Sequence, residues 1–360
     1  MKRIRLLIVV AALVFCTAAK AQNDVAIATL QHGNTVSVFK GPSALASALA
    51  AADEEGGDVI TLSQGTFTAA AITKPVSIYG AGFETDNASS TLLTTISGDL
   101  TVGRTDNTTL SNVHLEGFYL DGEFKVGGIE ITGPLENLRV VKTKLKSMLV
   151  QSSNSNTSFD QCVFMGMMNR GNDNTAYKSV IADMFFSNCI MNLGAFRFYS
   201  NTGCSIVLDH CIFNAYYNYP GGLNYSPLQG SHNTILTLRN SIYIYSNSSK
   251  SQSDSYHLWP SGTMISNCIS QEPDIVKYDN CFQMGKDGIF EDGEDGTYSS
   301  DRTYVLKSEL SSSWIGTDDT EIGIHGGHGF SKVPSTPVVK NLQLGVNGGE
   351  LNVTYDAITR

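Results

Sequence analysis

The hydrophobic and polar positions of this chain form a six-residue phrase that recurs along most of its length. An apolar residue is followed by a polar pair, then by a fourth residue that is often cysteine, and the phrase ends on another apolar residue. Its copies are LSNVHL (110–115), LENLRV (135–140), FDQCVF (159–164), FSNCIM (186–191), LDHCIF (208–213), LRNSIY (238–243) and ISNCIS (265–270). Their fourth positions lie 25, 24, 27, 22, 30 and 27 residues apart. Short strands at this period, with no helical pattern between them, predict a solenoid in which each copy marks the same corner of a successive coil.

Three positions of the phrase predict the inward face of the coils, because residues of one strand face are mostly apolar when that face is buried. The first position holds Leu110, Leu135, Phe159, Phe186, Leu208, Leu238 and Ile265. The fourth holds Val113, Leu138, Cys162, Cys189, Cys211, Ser241 and Cys268, and the sixth holds Leu115, Val140, Phe164, Met191, Phe213, Tyr243 and Ser270. We expect the fourth-position residues to share one inward slot.

The third position predicts a tight bend between two strands. It is occupied by Asn112, Asn137, Gln161, Asn188, His210, Asn240 and Asn267. Asparagine is the non-glycine residue that best tolerates a left-handed backbone. Stacked at the inter-strand spacing of about 4.8 Å, such amides also have the reach to hydrogen-bond from coil to coil.

Two further segments resemble a known family. Residues 43–82, SALASALAAADEEGGDVITLSQGTFTAAAITKPVSIYGAG, combine an alanine-rich helix, a G-D-x-I-x-L strand and a strand ending in glycine, and residues 318–327 read DDTEIGIHGG. With the repeat between them, they resemble the right-handed parallel β-helix (pectate-lyase-like) superfamily, in particular its secreted versions from Bacteroidetes-type bacteria. The resemblance implies an all-β, single-stranded right-handed parallel β-helix solenoid with an N-terminal capping helix and a short C-terminal β segment. It implies little about activity, because this fold carries lyases, hydrolases, epimerases and binding proteins.

The chain divides into three predicted regions. Residues 1–21 combine a basic start, an apolar run and an Ala-Lys-Ala site, as in a signal peptide, so the mature chain is expected to begin near Gln22 and to be secreted or displayed on the outer cell surface. The apolar run is shorter than the roughly 20 residues that cross a bilayer, and bulky Phe15 disfavours lipidation of Cys16. Residues 22–329 are the predicted β-helix with its cap. Residues 330–360 are a linker followed by a β-hairpin or stub around Asn347-Gly348-Gly349.

The charge balance narrows the class of partner. Cleavage after residue 21 removes four cationic side chains and changes the formal charge from −10 to −14. Nucleic acid is therefore an unfavourable partner, because its binding surfaces need clustered lysine and arginine. An acidic polysaccharide needs a local basic patch or a bound cation.

The cysteines admit two interpretations. Six remain after cleavage, and secretion with an even number is typical of disulfides. The fourth-position slot also accepts valine, leucine and serine, however, which favours buried free thiols.

Catalytic constellations known for the resembling family are missing from the sequence of the coils. There are no paired aspartates of the hydrolase type, and the basic residues that could serve a lyase are sparse; the candidates are Lys178, Arg197 and Arg239. Lys142, Lys144 and Lys146 alternate along one strand and are expected to face solvent, where they would form a solvated face or a patch for an anionic glycan. His328 lies in the tail, and we interpret its Gly-His-Gly setting as a polar loop.

Two loops in adjacent coils carry most of the candidate binding residues. They span residues 215–233 and 246–262, and their aromatic and histidine side chains are Tyr216, Tyr217, Tyr219, Tyr225, Tyr256, His257 and Trp259. Exposed aromatic faces beside polar groups suit sugar rings, although the same rings could instead pack over the coil as a small satellite core.

An acidic stretch at residues 286–301 is a candidate calcium site. Its proposed ligands are Asp287, Glu291, Asp292 and Asp295, which are hard oxygen donors among glycines. The spacing does not match an EF-hand, so an acidic surface turn is the favoured alternative and no cofactor is required.

The sequence therefore predicts a secreted or cell-surface monomer that binds polysaccharide through its aromatic loops, without nucleic acid and without spanning a membrane. Two other functions stay open: a polysaccharide lyase or glycoside hydrolase with an unrecognised active site, and a non-catalytic adhesin or spacer.

Overall fold

The computed structural model describes residues 26–86, 91–128, 130–131, 133–166, 180–193, 196–198, 203–215, 228–230, 234–245, 262–271, 273–292, 298–335, 338–347 and 350–358. In these ranges the chain is all-β, with two long and largely parallel sheets and few helices. No helix within these ranges has the length and apolarity needed to cross a membrane.

Sheet 1 contains 13 strands in the described part of the chain. They are β1 (Ile27–His32), β2 (Thr35–Lys40), β3 (Asp58–Leu62), β5 (Val76–Tyr79), β8 (Leu110–Ser111), β9 (His114–Glu116), β11 (Leu135–Glu136), β12 (Arg139–Val141), β14 (Asn154–Asp160), β16 (Ala182–Ser187), β19 (Cys204–Asp209), β22 (Thr234–Arg239) and β24 (Met264–Ser266). The hairpin β1–β2 and the pair β1–β3 are antiparallel.

Sheet 2 contains 11 strands over the same described ranges. They are β4 (Gly65–Thr68), β6 (Thr94–Ser97), β7 (Leu100–Val102), β10 (Tyr119–Val126), β13 (Lys144–Val150), β15 (Val163–Phe164), β17 (Ile190–Leu193), β20 (Ile212–Ala215), β23 (Ile242–Tyr245), β25 (Ile269–Ser270) and β26 (Phe282–Gln283). Outside both sheets, β18 (Phe196–Phe198) pairs in parallel with β21 (Leu228–Gly230), and β27 (Val338–Asn347) forms an antiparallel hairpin with β28 (Glu350–Ile358). The helices are α1 (Ala44–Ala51), α2 (Ser308–Ser311) and two 3₁₀ segments at Pro273–Lys277 and Lys286–Gly288.

From β3 onwards the chain alternates between the two sheets, and we call one passage through both a circuit. Each strand pairs in parallel with the strand at the same place in the next circuit; β16 with β19 and β19 with β22 are examples. The sheets therefore grow together along one direction, and their facing sides enclose a continuous apolar core.

The predicted left-handed bends are confirmed, although Asn112 and Asn137 belong to a different row from the other five. All seven third-position residues have a positive φ: 60° at Asn112, 56° at Asn137, 53° at Gln161, 48° at Asn188, 50° at His210, 51° at Asn240 and 49° at Asn267. The predicted amide contact between coils forms between Asn137 Nδ2 and Asn112 Oδ1, at 3.1 Å. The amides from Asn188 onwards bond elsewhere, to a C-terminal segment described below.

The register predicted for the first two copies is wrong. The strand pairing β12–β14 places Val140 beside Phe159, so the residue opposite Gln161 is Lys142 and the residue opposite Cys162 is Thr143. Asn112 and Asn137 instead form a second left-handed bend within sheet 1, in line with Asn156 at φ 49°. Val113 and Leu138 therefore do not share the cysteine slot. The error arises because both bends have the same local pattern, and only strand pairing distinguishes them.

The inward rows are otherwise buried as predicted. Every residue of the first, fourth and sixth positions is at most 7% exposed. Phe159 stacks on Phe186 with ring centroids 4.9 Å apart, and Phe213 stacks on Tyr243 at 5.2 Å, because equivalent residues of successive circuits face each other. The six cysteines in the described ranges are free thiols, five of them buried, as the sequence favoured.

Sheet 2 is buried on its outer face as well. The fifth-position residues Val163, Ile190, Ile212, Ile242 and Ile269 point away from the first core but are at most 1% exposed. They pack in a second apolar core under the C-terminal part of the chain, which contributes Ile289, Phe290, Tyr298, Tyr304, Leu306, Leu310, Trp314, Ile322 and Ile324. A strand covered on both faces loses the polar alternation of a half-exposed strand, and that explains the consecutive apolar residues at the end of FDQCVF, FSNCIM, LDHCIF and LRNSIY.

Helix α1 covers the end of the first core. Leu45 and Leu49, together with Ala44 and Ala48, are buried, and the helix packs on β1 to β4. Its first turn has no side-chain cap, so this apolar contact is what holds it in place.

The cysteine slot provides a stability test. We expect Cys211→Asp to lower the free energy of unfolding by about 3–5 kcal/mol, because a carboxylate would lie unpaired in a side-chain position that is 0% exposed. Cys211→Ser is the matched control, since Ser241 already occupies the equivalent slot one circuit later. Urea denaturation of both variants measures the difference. Equal urea midpoints for Cys211→Asp and Cys211→Ser would contradict the inward orientation of the Cys211 side chain.

Candidate functional site

The left-handed bends that connect sheet 1 to sheet 2 form a row, which we call the left-handed corners or corner row: Gln161, Asn188, His210, Asn240 and Asn267. A C-terminal segment runs along this row in the opposite order, from Asn267 towards Gln161. We call residues 315–335 the closing strap. It is joined to the circuits by hydrogen bonds with donor–acceptor distances of 2.5–3.2 Å. In order along the strap, the contacts are Ile315 with Asn267, Thr317 with Asn240, Asp318 and Gly323 with His210, Ile324 and Gly326 with Asn188, Ser331 with Gln161, and Ser335 with Glu116.

His210 is one of the buried anchors, at 3% exposure. Its Nδ1 lies 3.2 Å from the Gly323 carbonyl oxygen and its Nε2 lies 3.1 Å from Asp318 Oδ2. Because both neighbours are acceptors, only the imidazolium form donates to both. Burial tends to raise the pKa of Asp318, but hydrogen bonds from Thr320 and the nearby His210 outweigh it and lower that pKa.

Glu116 anchors the far end of the strap. Its carboxylate is 2% exposed and accepts hydrogen bonds from His114 Nε2 at 3.0 Å and from the backbone N–H of Ser335 at 2.5 Å. Burial acts to raise the pKa of Glu116, yet these two hydrogen bonds leave it below its ordinary value. The strap therefore depends on an ionised carboxylate at this contact.

Beside the strap, an open groove of about 390 Å³ crosses three adjacent strands of sheet 1. Arg139 on β12, Ser158 on β14 and Phe185 on β16 stand next to one another in register and form its floor. The groove is lined by Asn137, Leu138, Arg139, Asn156, Ser158, Asp160, Phe185, Ser187 and His328. Amides, hydroxyls, one aromatic ring, one guanidinium and one imidazole thus face a common space.

The closing strap contributes His328 to this groove. Its Nε2 lies 2.6 Å from Asp160 Oδ1, and the Ser187 hydroxyl donates to the same oxygen at 2.7 Å. A carboxylate at this position favours the tautomer with the hydrogen on Nε2, and that tautomer has its lone pair on Nδ1. A carboxylate behind an imidazole in this way sets the tautomer and orientation needed for proton transfer.

The three basic residues predicted as catalytic candidates lie in different places. Lys178 lies outside the described residues, and Arg197 lies on β18. Arg239 donates to Asp209 Oδ2 at 2.8 Å on the outer face of sheet 1, so its charge is engaged in an ion pair. Arg139, which the sequence did not single out, has no ion-pair partner among the described residues and is exposed in the groove.

The expectation that Lys142, Lys144 and Lys146 share one solvated face is wrong. Lys142 occupies a left-handed corner with φ 45° and so does not continue the alternation of β13. Lys144 lies over the rings of Tyr119 and Tyr298, at 5.6 and 4.8 Å, and burial lowers its pKa. Lys146 alone is exposed, and it pairs with Asp121 at 2.8 Å. Lys144 is half-buried because the C-terminal part of the chain covers the outer face of sheet 2. The strand pattern did not predict this cover.

The aromatic binding candidates Tyr216, Tyr217, Tyr219, Tyr225, Tyr256, His257 and Trp259 lie outside the described residues, and the binding prediction for them stands untested.

Three of the four calcium candidates are described. Asp287, Glu291 and Asp292 are exposed, and Glu291 accepts a hydrogen bond from the Ser308 N–H at 2.8 Å. Asp295 lies outside the described residues. Within the described ranges, no group of three or more histidine, cysteine, aspartate or glutamate side chains is arranged to hold a metal ion.

Sequence reasoning missed His328 because it interpreted the tail as lying beyond the coils. In sequence, His328 is 168 residues from Asp160. The sequence held one signal for this contact: the fifth position of the five later phrases is always valine or isoleucine. Such residues on the outer face of sheet 2 need a cover, and the C-terminal segment provides it. That cover ends beside the corners, which brings the tail to sheet 1.

No protein-family model, curated protein or solved structure matches this chain.

The lowered pKa values of Glu116 and Asp318 predict a loss of stability in acid. A carboxylate with a depressed pKa stabilises the folded chain above its ordinary pKa of about 4, and this contribution is lost as the pH falls through the lowered value. We expect the unfolding free energy to fall with acidification below about pH 4.5, and less steeply in Glu116→Gln. Denaturant titrations from pH 6 to pH 3 measure both slopes. Glu136→Gln, at an exposed carboxylate, is the control, and an unchanged slope in Glu116→Gln would contradict the assignment.

Proposed function

We propose that the two sheets form a right-handed parallel β-helix of the pectate-lyase-like kind, with α1 as its N-terminal cap and a cleaved signal peptide before it. From β3 to β25, parallel pairing between described strands of successive circuits supports the solenoid. A connection from one parallel strand to the next in the same sheet is right-handed in nearly all proteins, which supports the handedness. Secretion rests on the sequence of residues 1–21.

We further propose that the protein is a secreted or cell-surface polysaccharide-binding protein and that the groove on sheet 1 is a glycan site. The observation that carries this is the composition of the groove: Asn137, Asn156 and Ser158 offer two amides and a hydroxyl in the same groove as the Phe185 ring. Sugar hydroxyls need paired donors and acceptors, and the apolar face of a sugar ring stacks on an aromatic face. The groove is open at the surface, as a polymer requires.

The amide row also gives the groove a repeat. Asn156 donates to Asn137 Oδ1 at 2.5 Å, and Asn137 donates to Asn112 Oδ1 at 3.1 Å. Each amide stands one strand spacing, about 4.8 Å, from the next. A chain molecule lying across the strands would therefore meet similar groups at each step, whereas a small ligand would use only one.

The aromatic loops are a second part of the proposed surface. The loop residues from Tyr216 to Trp259 follow the groove strands in the sequence, and we retain them as candidates for binding the same glycan. Calcium is proposed as an optional aid for an acidic glycan, with the stretch from Asp287 to Asp295 as the candidate site.

Glycan binding is tested by retention of the mature protein in gels that contain polygalacturonate, alginate, hyaluronan or xyloglucan, with and without calcium. We expect Phe185→Ala and Asn156→Ala each to weaken binding about tenfold, since each removes roughly 1 kcal/mol of stacking or hydrogen bonding. Trp259→Ala and Tyr217→Ala test the loops in the same gels.

Val207→Ala is the matched control for Phe185→Ala. Val207 stands beside Phe185 in register on β19, on the same outer face, but does not line the groove. Wild-type retention in both groove variants, with a loss in Trp259→Ala, would place the site in the loops. No retention of the wild type by any polysaccharide would overturn the binding function.

One observation favours cleavage of the bound glycan as a second candidate function: the imidazole of His328 held by Asp160 beside the free guanidinium of Arg139. Among the groove-lining residues that the structure describes there is one carboxylate, whereas glycoside hydrolysis ordinarily uses two. Elimination instead needs a base and a cation beside the uronate carboxylate. In that reaction His328 Nδ1 takes the proton next to the carboxylate, a carbon–carbon double bond forms, and the glycosidic oxygen leaves and is protonated.

Cleavage is tested by the ultraviolet absorbance of unsaturated uronic products and by the release of reducing ends. We expect His328→Ala to lower the rate by about 10² to 10⁴. His325→Ala is the control, because that strap histidine bonds the Thr303 carbonyl at 2.6 Å and does not line the groove. Equal rates in the two variants would exclude His328 as the base.

A further inference from the structure

The closing strap is held by two kinds of contact. Up to Ile324 the C-terminal part is fixed by apolar side chains in the second core, and Phe330 packs against the same core. Beyond Ile324, hydrogen bonds join the strap to the circuits: Gly326 with Asn188, Ser331 with Gln161, Ser335 with Glu116, and His328 with Asp160. These hydrogen bonds set the register of the strap on the circuits, because each forms only when its donor and acceptor are aligned.

Asn188 is the centre of this contact. It is 1% exposed, and its one amide nitrogen donates to two strap carbonyls, Ile324 at 2.9 Å and Gly326 at 2.8 Å. Gly326 lies against the His210 ring so closely that a Cβ there would be 2.5 Å from the ring and 1.8 Å from the Glu321 carbonyl oxygen. The strap passes His210 only because residue 326 is a glycine, and its carbonyl groups there are satisfied by the amide of Asn188.

We propose that the closing strap is a latch that docks as one unit on the left-handed corner row and, by docking, builds the His328 side of the groove. Within the described part of the chain, the side chain of His328 is placed by its contact with Asp160, which lies on β14. The groove is therefore complete only while the latch is closed. Asn188, His210 and Gly326 are positioning residues that act on the groove through the backbone of the strap.

Closure of the latch is thermodynamically linked to ligand binding in the groove. A ligand that contacts His328 in the groove binds the closed form better than the open form, so it must favour closure by the same free energy. The groove and the strap are thus one regulated site. This part of the inference rests on the proposed glycan-binding function, whereas docking of the strap as a unit does not.

Hydrogen exchange of the full mature chain tests the latch. Asn188→Asp replaces the donor by a carboxylate that faces two carbonyl oxygens, with almost no change in size. We expect amide exchange to accelerate at least tenfold throughout residues 324–335, including Ser331 and Ser335, which Asn188 does not touch. Acceleration confined to residues 323–327 would show that the strap does not dock as a unit and would overturn the proposal.

Gly326→Ala should reproduce this pattern by forcing the strap away from His210. Gly285→Ala is the matched control, since a Cβ at Gly285 meets nothing within 4 Å. Unchanged exchange in β14 and β16 shows in each variant that the sheets remain folded. Wild-type strap exchange in both Asn188→Asp and Gly326→Ala would overturn the latch.

The groove is tested with polygalacturonate and alginate in the same samples. We expect Asn188→Asp to weaken binding as much as His328→Ala does, and the double variant to be no weaker than either, because both changes remove the same wall. An open strap with wild-type affinity, while His328→Ala binds weakly, would overturn the completion of the groove by the latch. Failure of the wild type to bind either glycan overturns the proposed function instead, and the exchange pattern still decides whether the latch exists.

Discussion

The structure depends on one backbone constraint: at the corners the chain passes from sheet 1 to sheet 2 within two residues, and the first of these is left-handed. At Gln161 and Asn188 the corner N–H donates to the carbonyl of Ser187 and Asp209 in the next circuit, so the corners are part of the ladder. Glycine or asparagine satisfies a positive φ at little cost, and a β-branched residue does not. The corners therefore align from circuit to circuit and present their polar side chains along one edge.

The polar side chains along that edge also form hydrogen bonds. A row of buried or half-buried amides must find partners, because an unsatisfied polar group is costly away from water. In the separate row of left-handed bends within sheet 1, the asparagines bond to one another, as Asn137 does with Asn112. In the later circuits Asn188, Asn240 and Asn267 bond to the closing strap instead. The strap follows the edge because the edge supplies donors and acceptors at regular spacing.

The groove follows from the same arrangement. Sheet 2 is covered on its outer face, while sheet 1 remains open between β12 and β16. When the cover ends, the strap crosses the corners and carries His328 to Asp160. The chemistry of the groove thus combines a repeated surface of amides and hydroxyls with one imidazole from a distant part of the chain.

The sequence by itself determined the repeat, the inward rows and the left-handed residues, because each of these is a local requirement of a strand or a bend and leaves its mark within six residues. The pairing register of the first two copies was decided only by the tertiary structure, since the bends at Asn137 and Lys142 differ in their neighbours and not in their local geometry. The groove also needed the tertiary structure. No spacing rule connects His328 with Asp160, and their contact exists because a cover over sheet 2 directs the tail across the corner row.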